Sequence, residues 1–227
     1  MKKTLLIISL CFSLSQLQAQ SFTDVTFGTS KQDRAFVNLA YRYQFSDAFR
    51  AGIELETGLV NYRFIGAKVI DEGVSTTVSL PTLLRLYQQD NFRLDLYSKV
   101  GARFQSVSTN YEREEALPAN TSFGFIVEPG LAVTYLLGDR LSLQSGVTLP
   151  LVFEASPEFI FENNVTNLFA NLGYQLGKNS VFLLKTSTGP AAGASGDSQK
   201  YVWSAQAGLR FLFGGGTRAS IIPEPSF

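Results

Sequence analysis

The chain has 227 residues, sets nineteen basic against nineteen acidic side chains, and contains no histidine. Zero net charge excludes the basic footprint of a nucleic-acid binder, and the missing imidazole removes Ser-His-Asp hydrolysis and nearly every zinc site. Thirteen per cent aromatic against seventeen per cent charged residues is rich in rings and poor in charge for a water-soluble domain.

Residues 1–19 read as a cleaved secretory signal peptide. Lys2 and Lys3 form its positive end, residues 4–14 its apolar stretch, and Ala19 precedes the expected cut. Cys11, the single cysteine, falls inside this leader. Leu10 stands before it where a lipoprotein site needs a small residue. The mature chain is therefore read as free of disulfides and thiolate metal sites, and no cofactor or metal is expected. Beyond the leader no apolar run approaches the ~18 residues of a membrane helix.

Ten candidate strands follow. Residues 22–30 give the first and weakest. Residues 35–45 alternate cleanly, with Val37, Leu39, Tyr41, Tyr43 and Phe45 on one face and Asn38, Arg42 and Gln44 on the other. A turn at Ser46-Asp47-Ala48 leads to residues 49–64, where Ile53 and Leu55 oppose Arg50, Glu54 and Glu56. A longer connection, 66–73, precedes residues 74–88, whose apolar face carries Val78, Leu80, Leu84 and Leu86 and whose other face carries Arg85. Residues 89–91 turn the chain into FRLDLYSKVGARF, residues 92–104. There Phe92, Leu94, Leu96, Val100 and Phe104 alternate with Arg93, Asp95, Tyr97, Lys99 and Arg103. Strict period-2 alternation of greasy and ionic residues means a strand with one face of each kind. Its ends are ~40 Å apart at ~3.3 Å per residue; tilted, that spans about the apolar band of a bilayer with its aromatic girdles.

A polar loop over 110–121 contains Glu112, Arg113, Glu114 and Glu115 and reads as a solvated tip. Residues 122–137 carry Glu128 on the polar face, and a Gly138-Asp139-Arg140 turn leads to 141–154, which ends in Glu154. Residues 155–163 are expected to loop before the strand 164–176. The turn 177–180 opens residues 181–188, which carry Lys185; the small-residue loop 189–198 (GPAAGASG at 189–196) lacks the context of a phosphate loop. The last strand, 200–213, has Trp203, Ala205, Ala207, Leu209, Phe211 and Phe213 on one face and Arg210 on the other. Residues 214–227 contain a glycine run and two prolines and are expected to be a flexible periplasmic tail.

Short turns alternate with mostly longer, more polar connections, the layout of an outer-membrane barrel with short periplasmic turns and longer extracellular loops. The expected fold is a single closed antiparallel transmembrane β-barrel over residues 20–213, with ten strands, or eight if the first strand and one other are misassigned. A soluble barrel with its apolar face inward has the same period. Three features favour the inverted arrangement. Aromatics crowd the strand ends, glycines recur on the polar face (Gly52, Gly101, Gly124, Gly130, Gly146, Gly173, Gly208), and several strands are long.

The segment VSLPTLLRLY (78–87), the short turn and FRLDLYSKVGARF, with GLRFLF at 208–213, are similar to the PorT-like outer-membrane β-barrel family. That resemblance implies a barrel in the outer membrane and specifies little about activity.

The inward set is then Arg42, Arg50, Glu54, Glu56, Arg85, Arg93, Asp95, Lys99, Arg103, Glu128, Glu154, Lys185 and Arg210. Buried charges require partners, so the expectation is a lumen largely filled by ion pairs. Glu54 and Glu56 are the best carboxylate pair, yet an enzyme is not expected. The expected function is a small outer-membrane barrel with a structural, interaction or accessory role. The alternative is a narrow porin-like channel passing small solutes beside Arg103, Glu54 and Glu128. Expected partners are outer-membrane lipid, the barrel-assembly machinery during biogenesis and, through the extracellular loops, a protein partner.

Overall fold

The computed structural model describes residues 20–30, 33–63, 69–111, 120–156, 160–163, 166–192, 199–213 and 221–222. The expected leader and the acidic tip at 112–115 lie outside them. Ten strands form one sheet: β1 (Gln20–Ser30), β2 (Asp33–Gln44), β3 (Phe49–Arg63), β4 (Val69–Gln89), β5 (Phe92–Tyr111) and β6 (Asn120–Leu137). Two strands are built from two segments each, β7 (Leu141–Thr148 and Leu151–Ser156) and β8 (Ile160–Asn163 and Asn167–Gly177). Last come β9 (Ser180–Ala192) and β10 (Gln199–Phe213).

Every strand pairs antiparallel with its sequence neighbour, and β1 pairs with β10, Val25 opposite Leu209, which closes the ring. A closed ring leaves no edge of unpaired backbone groups, the condition for a sheet to sit in hydrocarbon. Ten strands, not eight, is the observed number.

The break in β7 has a local cause. Pro150 has no N–H to give to the ladder, and Pro129 occupies β6 beside it. The register does not slip: Gly130 faces Thr148 on one side of the break and Val127 faces Leu151 on the other. The Leu149 amide still donates to the Pro129 carbonyl at 2.8 Å.

At one end, the turn end, the connections are tight. Gly138 sits at φ 68° in the β6–β7 turn, a left-handed backbone that glycine adopts without a side-chain clash. Ser46 Oγ accepts from the amides of Ala48 and Phe49 and so closes the β2–β3 turn. At the other end, the loop end, the strands run further than expected. β4 begins at Val69, β8 at Ile160, and β9 continues to Ala192. The segments expected as loops at 66–73, 155–163 and 189–198 are therefore partly ladder. Outside an apolar band both faces of a strand meet water, so the greasy alternation disappears while the hydrogen bonding continues.

Side-chain direction follows the inverted pattern. Phe45, Ile53, Leu80, Val100, Leu168 and Phe213 are exposed on the outside, while Arg42, Glu54, Asp95, Lys185 and Arg210 are buried within. Rings gather at both rims. Near the turns Tyr43, Phe45 and Phe49 pack at centroid distances of 4.8 and 5.6 Å; near the loops Phe104, Phe123 and Phe125 pack at 4.9 Å. A bulge between Arg85 and Tyr87 shifts the parity of β4. That shift turns Tyr87 outward against Phe92, 6.2 Å away, completing the turn-end girdle.

The expected tail is corrected at two residues. Ile221 and Ile222 are buried, inside the turn end of the barrel, in a cluster with Phe22, Leu136, Val181, Leu183 and Leu212.

Candidate functional site

The lumen is the candidate site, and it has two levels. The middle level is ionic. Lys99 and Glu128 stand directly opposite each other in the β5–β6 ladder, and Lys99 Nζ reaches Glu128 Oε2 at 2.9 Å. Arg42 Nη2 binds Glu54 Oε2 at 2.5 Å and its Nη1 donates to the Ile53 carbonyl at 3.0 Å. Asp24 and Arg210 face each other across the closing β1–β10 pair. There Arg210 donates from Nε at 2.6 Å to Oδ1 and from Nη2 at 2.8 Å to Oδ2, a two-pronged pair. Glu56 accepts from Asn38 Nδ2 at 3.3 Å.

These pairs are not confined to adjacent strands. Lys185 on β9 lies within electrostatic range of Asp24, Glu54, Arg42 and Arg210, and Lys99 on β5 within range of Glu54 and Glu56. β9 and β3 are not neighbours in the ring, so these charges act on one another across the bore. Polar residues complete the level: Thr26 Oγ1 donates to Gln206 Oε1 at 2.9 Å, and Asn171 Nδ2 to Gln144 Oε1 at 3.1 Å. Tyr97, fully buried, faces Lys99, Glu128, Glu54 and Arg42. Its hydroxyl and Glu128 Oε1 have no hydrogen-bond partner among the described residues.

The turn-end level is mixed. Arg50, Arg85 and Arg93 surround Asp95, with Arg93 Nε on Asp95 Oδ1 at 2.6 Å and Asp47 close to Arg85. Beside them the inward residues become apolar. The Phe22 ring lies under the Arg210 guanidinium at 3.7 Å and near that of Arg50 at 5.0 Å, contacts that favour a cation on the ring face. The lumen expected to be largely filled by ion pairs thus has, at its turn end, an apolar cluster beside the charges.

Of the thirteen charged residues read as inward, Arg42, Glu54, Lys99, Glu128, Lys185 and Arg210 are buried in the middle level, with Glu56 beside them. Arg50, Arg93 and Asp95 are buried in the turn-end level, and Arg85 is half-buried there. Arg103 is half-buried nearer the loop end, opposite Gly124 and Thr77. The side chain of Glu154 lies outside the described residues. Asp24 and Tyr97 were missed as site residues. Asp24 is the only acid between residues 20 and 30, and closure between first and last strands would have paired it with Arg210.

Among the described residues no group of three or more Asp, Glu, His or Cys gathers to hold a metal ion. Glu54 and Glu56 share a face, but Arg42, Lys99 and Lys185 surround Glu54, so the pair is part of the packing.

A closed antiparallel ring with apolar exterior, aromatic rims and ionised interior is the fold of transmembrane β-barrels. Among solved structures, it matches the translocator domain of the autotransporter NalP from Neisseria meningitidis. That match has a TM-score of 0.52 at 11% identity and covers 92% of this chain and 94% of that one. The outer membrane protease OmpT from Escherichia coli matches at 0.49 and 11% identity, over 86% of this chain and 96% of that one. A major outer membrane protein from Thermus thermophilus matches at 0.44 and 15% identity, over 86% and 99%. At these identities the likeness is one of fold. No protein-family model and no curated protein sequence matches the chain.

Proposed function

We propose that this is a bacterial outer-membrane barrel whose lumen is closed by its own side chains and which acts as a structural, interaction or accessory component. Its turns and both ends of the chain face the periplasm, and its loop end faces the outside, where a protein partner would bind. The similarity of residues 78–87, 92–104 and 208–213 to the PorT-like family supports the finer assignment to that group. One observation carries the closed-lumen reading: Arg42, Glu54, Lys99 and Lys185, from β2, β3, β5 and β9, are each no more than 4% exposed. An open pore would keep such residues on separate walls with water between them.

A second reading, a narrow channel passing small solutes, draws on the half-buried Arg103 and on the unmet polar atoms of Glu128 and Tyr97, which suit an aqueous path. Conductance across a planar lipid bilayer separates the two. The closed reading expects no steady unit openings from the refolded protein. Openings whose size changes in Arg103→Ala or Glu54→Ala would replace it with the channel.

A further inference from the structure

The turn-end mouth contains a built binding site that neither reading above uses. Ile221 and Ile222 are 0% and 1% exposed and lie against Phe22 of β1, Leu136 of β6, Val181 and Leu183 of β9 and Leu212 of β10. Two lumen donors take two successive carbonyls. Ser142 Oγ donates to Ile221 O and Arg210 Nη1 to Ile222 O, both at 2.7 Å. Gly173 permits the approach, because a Cβ there would collide with the Ile221 carbonyl and with Ser142 Oγ. The recognition is therefore of a short segment with two adjacent aliphatic side chains, both buried, read through its backbone. Nothing in it depends on the segment being covalently attached.

The wall is also poorly matched to water. Inward-facing Phe22, Val181, Leu183 and Leu212 would return apolar surface to water if the segment left. The site thus favours being occupied at all times.

We propose that the turn-end mouth is a binding site for a short, aliphatic peptide segment, which the chain's own Ile221–Ile222 occupies in cis and a segment of the same chemistry on a partner protein takes by exchange. This goes beyond the proposed function and does not require the lumen to be closed or open.

The test uses residues 20–227 refolded in detergent, which contain no native cysteine, since Cys11 is the single one in the sequence. A single thiol is introduced as Ile222→Cys or, at an exposed turn residue, as Lys178→Cys, and labelled with a maleimide dye. Ile222→Cys is expected to react more than tenfold more slowly than Lys178→Cys. A synthetic peptide of residues 217–227 should raise its rate in proportion to peptide concentration, at least doubling it at millimolar peptide. The same peptide with Ile221 and Ile222 replaced by Asp should leave the rate unchanged. Leu183→Cys, on the wall of the site, reports occupancy independently of any loosening caused by Ile222→Cys: displaced by the free peptide, the tail leaves Leu183→Cys still covered. Equal labelling of Ile222→Cys and Lys178→Cys, with Leu183→Cys also reactive, would overturn the docking. A protected thiol whose rate the peptide never changes would overturn the exchange.

Discussion

Arg210→Gln is the substitution for which the packing makes the sharpest demand. Arg210 and Asp24 are 0% and 1% exposed and joined by two hydrogen bonds of 2.6 and 2.8 Å. Removing the cation leaves a buried carboxylate with its principal partner gone, which costs about 3–5 kcal/mol in buried pairs. Lys185 remains in range of Asp24, which places the expectation near the lower bound, about 3 kcal/mol. The Ile222 carbonyl also loses a donor, but releasing the tail would return it to water, so that loss is not counted in addition. Asp24→Asn/Arg210→Gln removes both charges and leaves two amides able to bond each other; it should recover most of the loss. Urea titration of the barrel in lipid vesicles, followed by fluorescence of the single tryptophan, Trp203, measures all four members of the cycle. A loss below about 1 kcal/mol, the scale of an exposed pair, would mean that water solvates this level freely. A double variant as damaged as the sum of the singles would show that the two residues are not coupled. Either result would refute the packed-lumen argument.

Four further single substitutions, one double variant and one gel follow from the same geometry. Lys99→Met should cost about 3–5 kcal/mol because Glu128 loses the cation directly opposite it, whereas Lys99→Met/Glu128→Leu should be much milder in the same titration. Val100→Arg, on the outer face in the middle of the apolar band, should cost about 2–4 kcal/mol, and Leu137→Arg, beside the β6–β7 turn, about 0–1; equal costs would contradict the placement of the band. Gly173→Val should displace the docked tail and leave the barrel closed. It would be seen as fast labelling of Ile222→Cys with an unfolding free energy lowered by only about 1–3 kcal/mol. The wild-type protein should run faster on SDS gels before boiling than after, as a hydrogen-bonded ring resists the detergent; identical mobility would count against closure.

Much of this architecture is legible where each strand crosses the apolar band. Residues 92–104 present Phe92, Leu96, Val100 and Phe104 outward and Arg93, Asp95 and Lys99 inward, as alternation requires. Legibility fails where the pattern meets a second environment. On β1, Phe22 points inward beside Asp24 while Val25 and Phe27 point outward, so apolar residues occupy both faces and the strand looks weak. Leu212 likewise faces inward between outward-facing Phe211 and Phe213. Short-range periodicity has no means of showing that an aliphatic lumen lining is required, because the requirement comes from Ile221 and Ile222, distant in sequence and outside any strand.

That inward greasy patch also explains how a lumen otherwise organised by charge can tolerate Arg210 at full burial. A guanidinium has five N–H donors. Asp24 takes two of Arg210's and the Ile222 carbonyl a third, while the Phe22 ring lies against its face at 3.7 Å. The carboxylate comes from the first strand, the carbonyl from the tail and the cation from the last strand, so one side chain ties ring closure to tail docking. Barrel and tail are therefore coupled through Arg210. A perturbation at Asp24 should be felt at Ile222 even though no substitution is made there. Asp24→Asn, which loosens one of the anchors that orient Arg210, should speed the labelling of Ile222→Cys. Unchanged labelling in that variant would show that the tail is held by its aliphatic contacts and Ser142 alone.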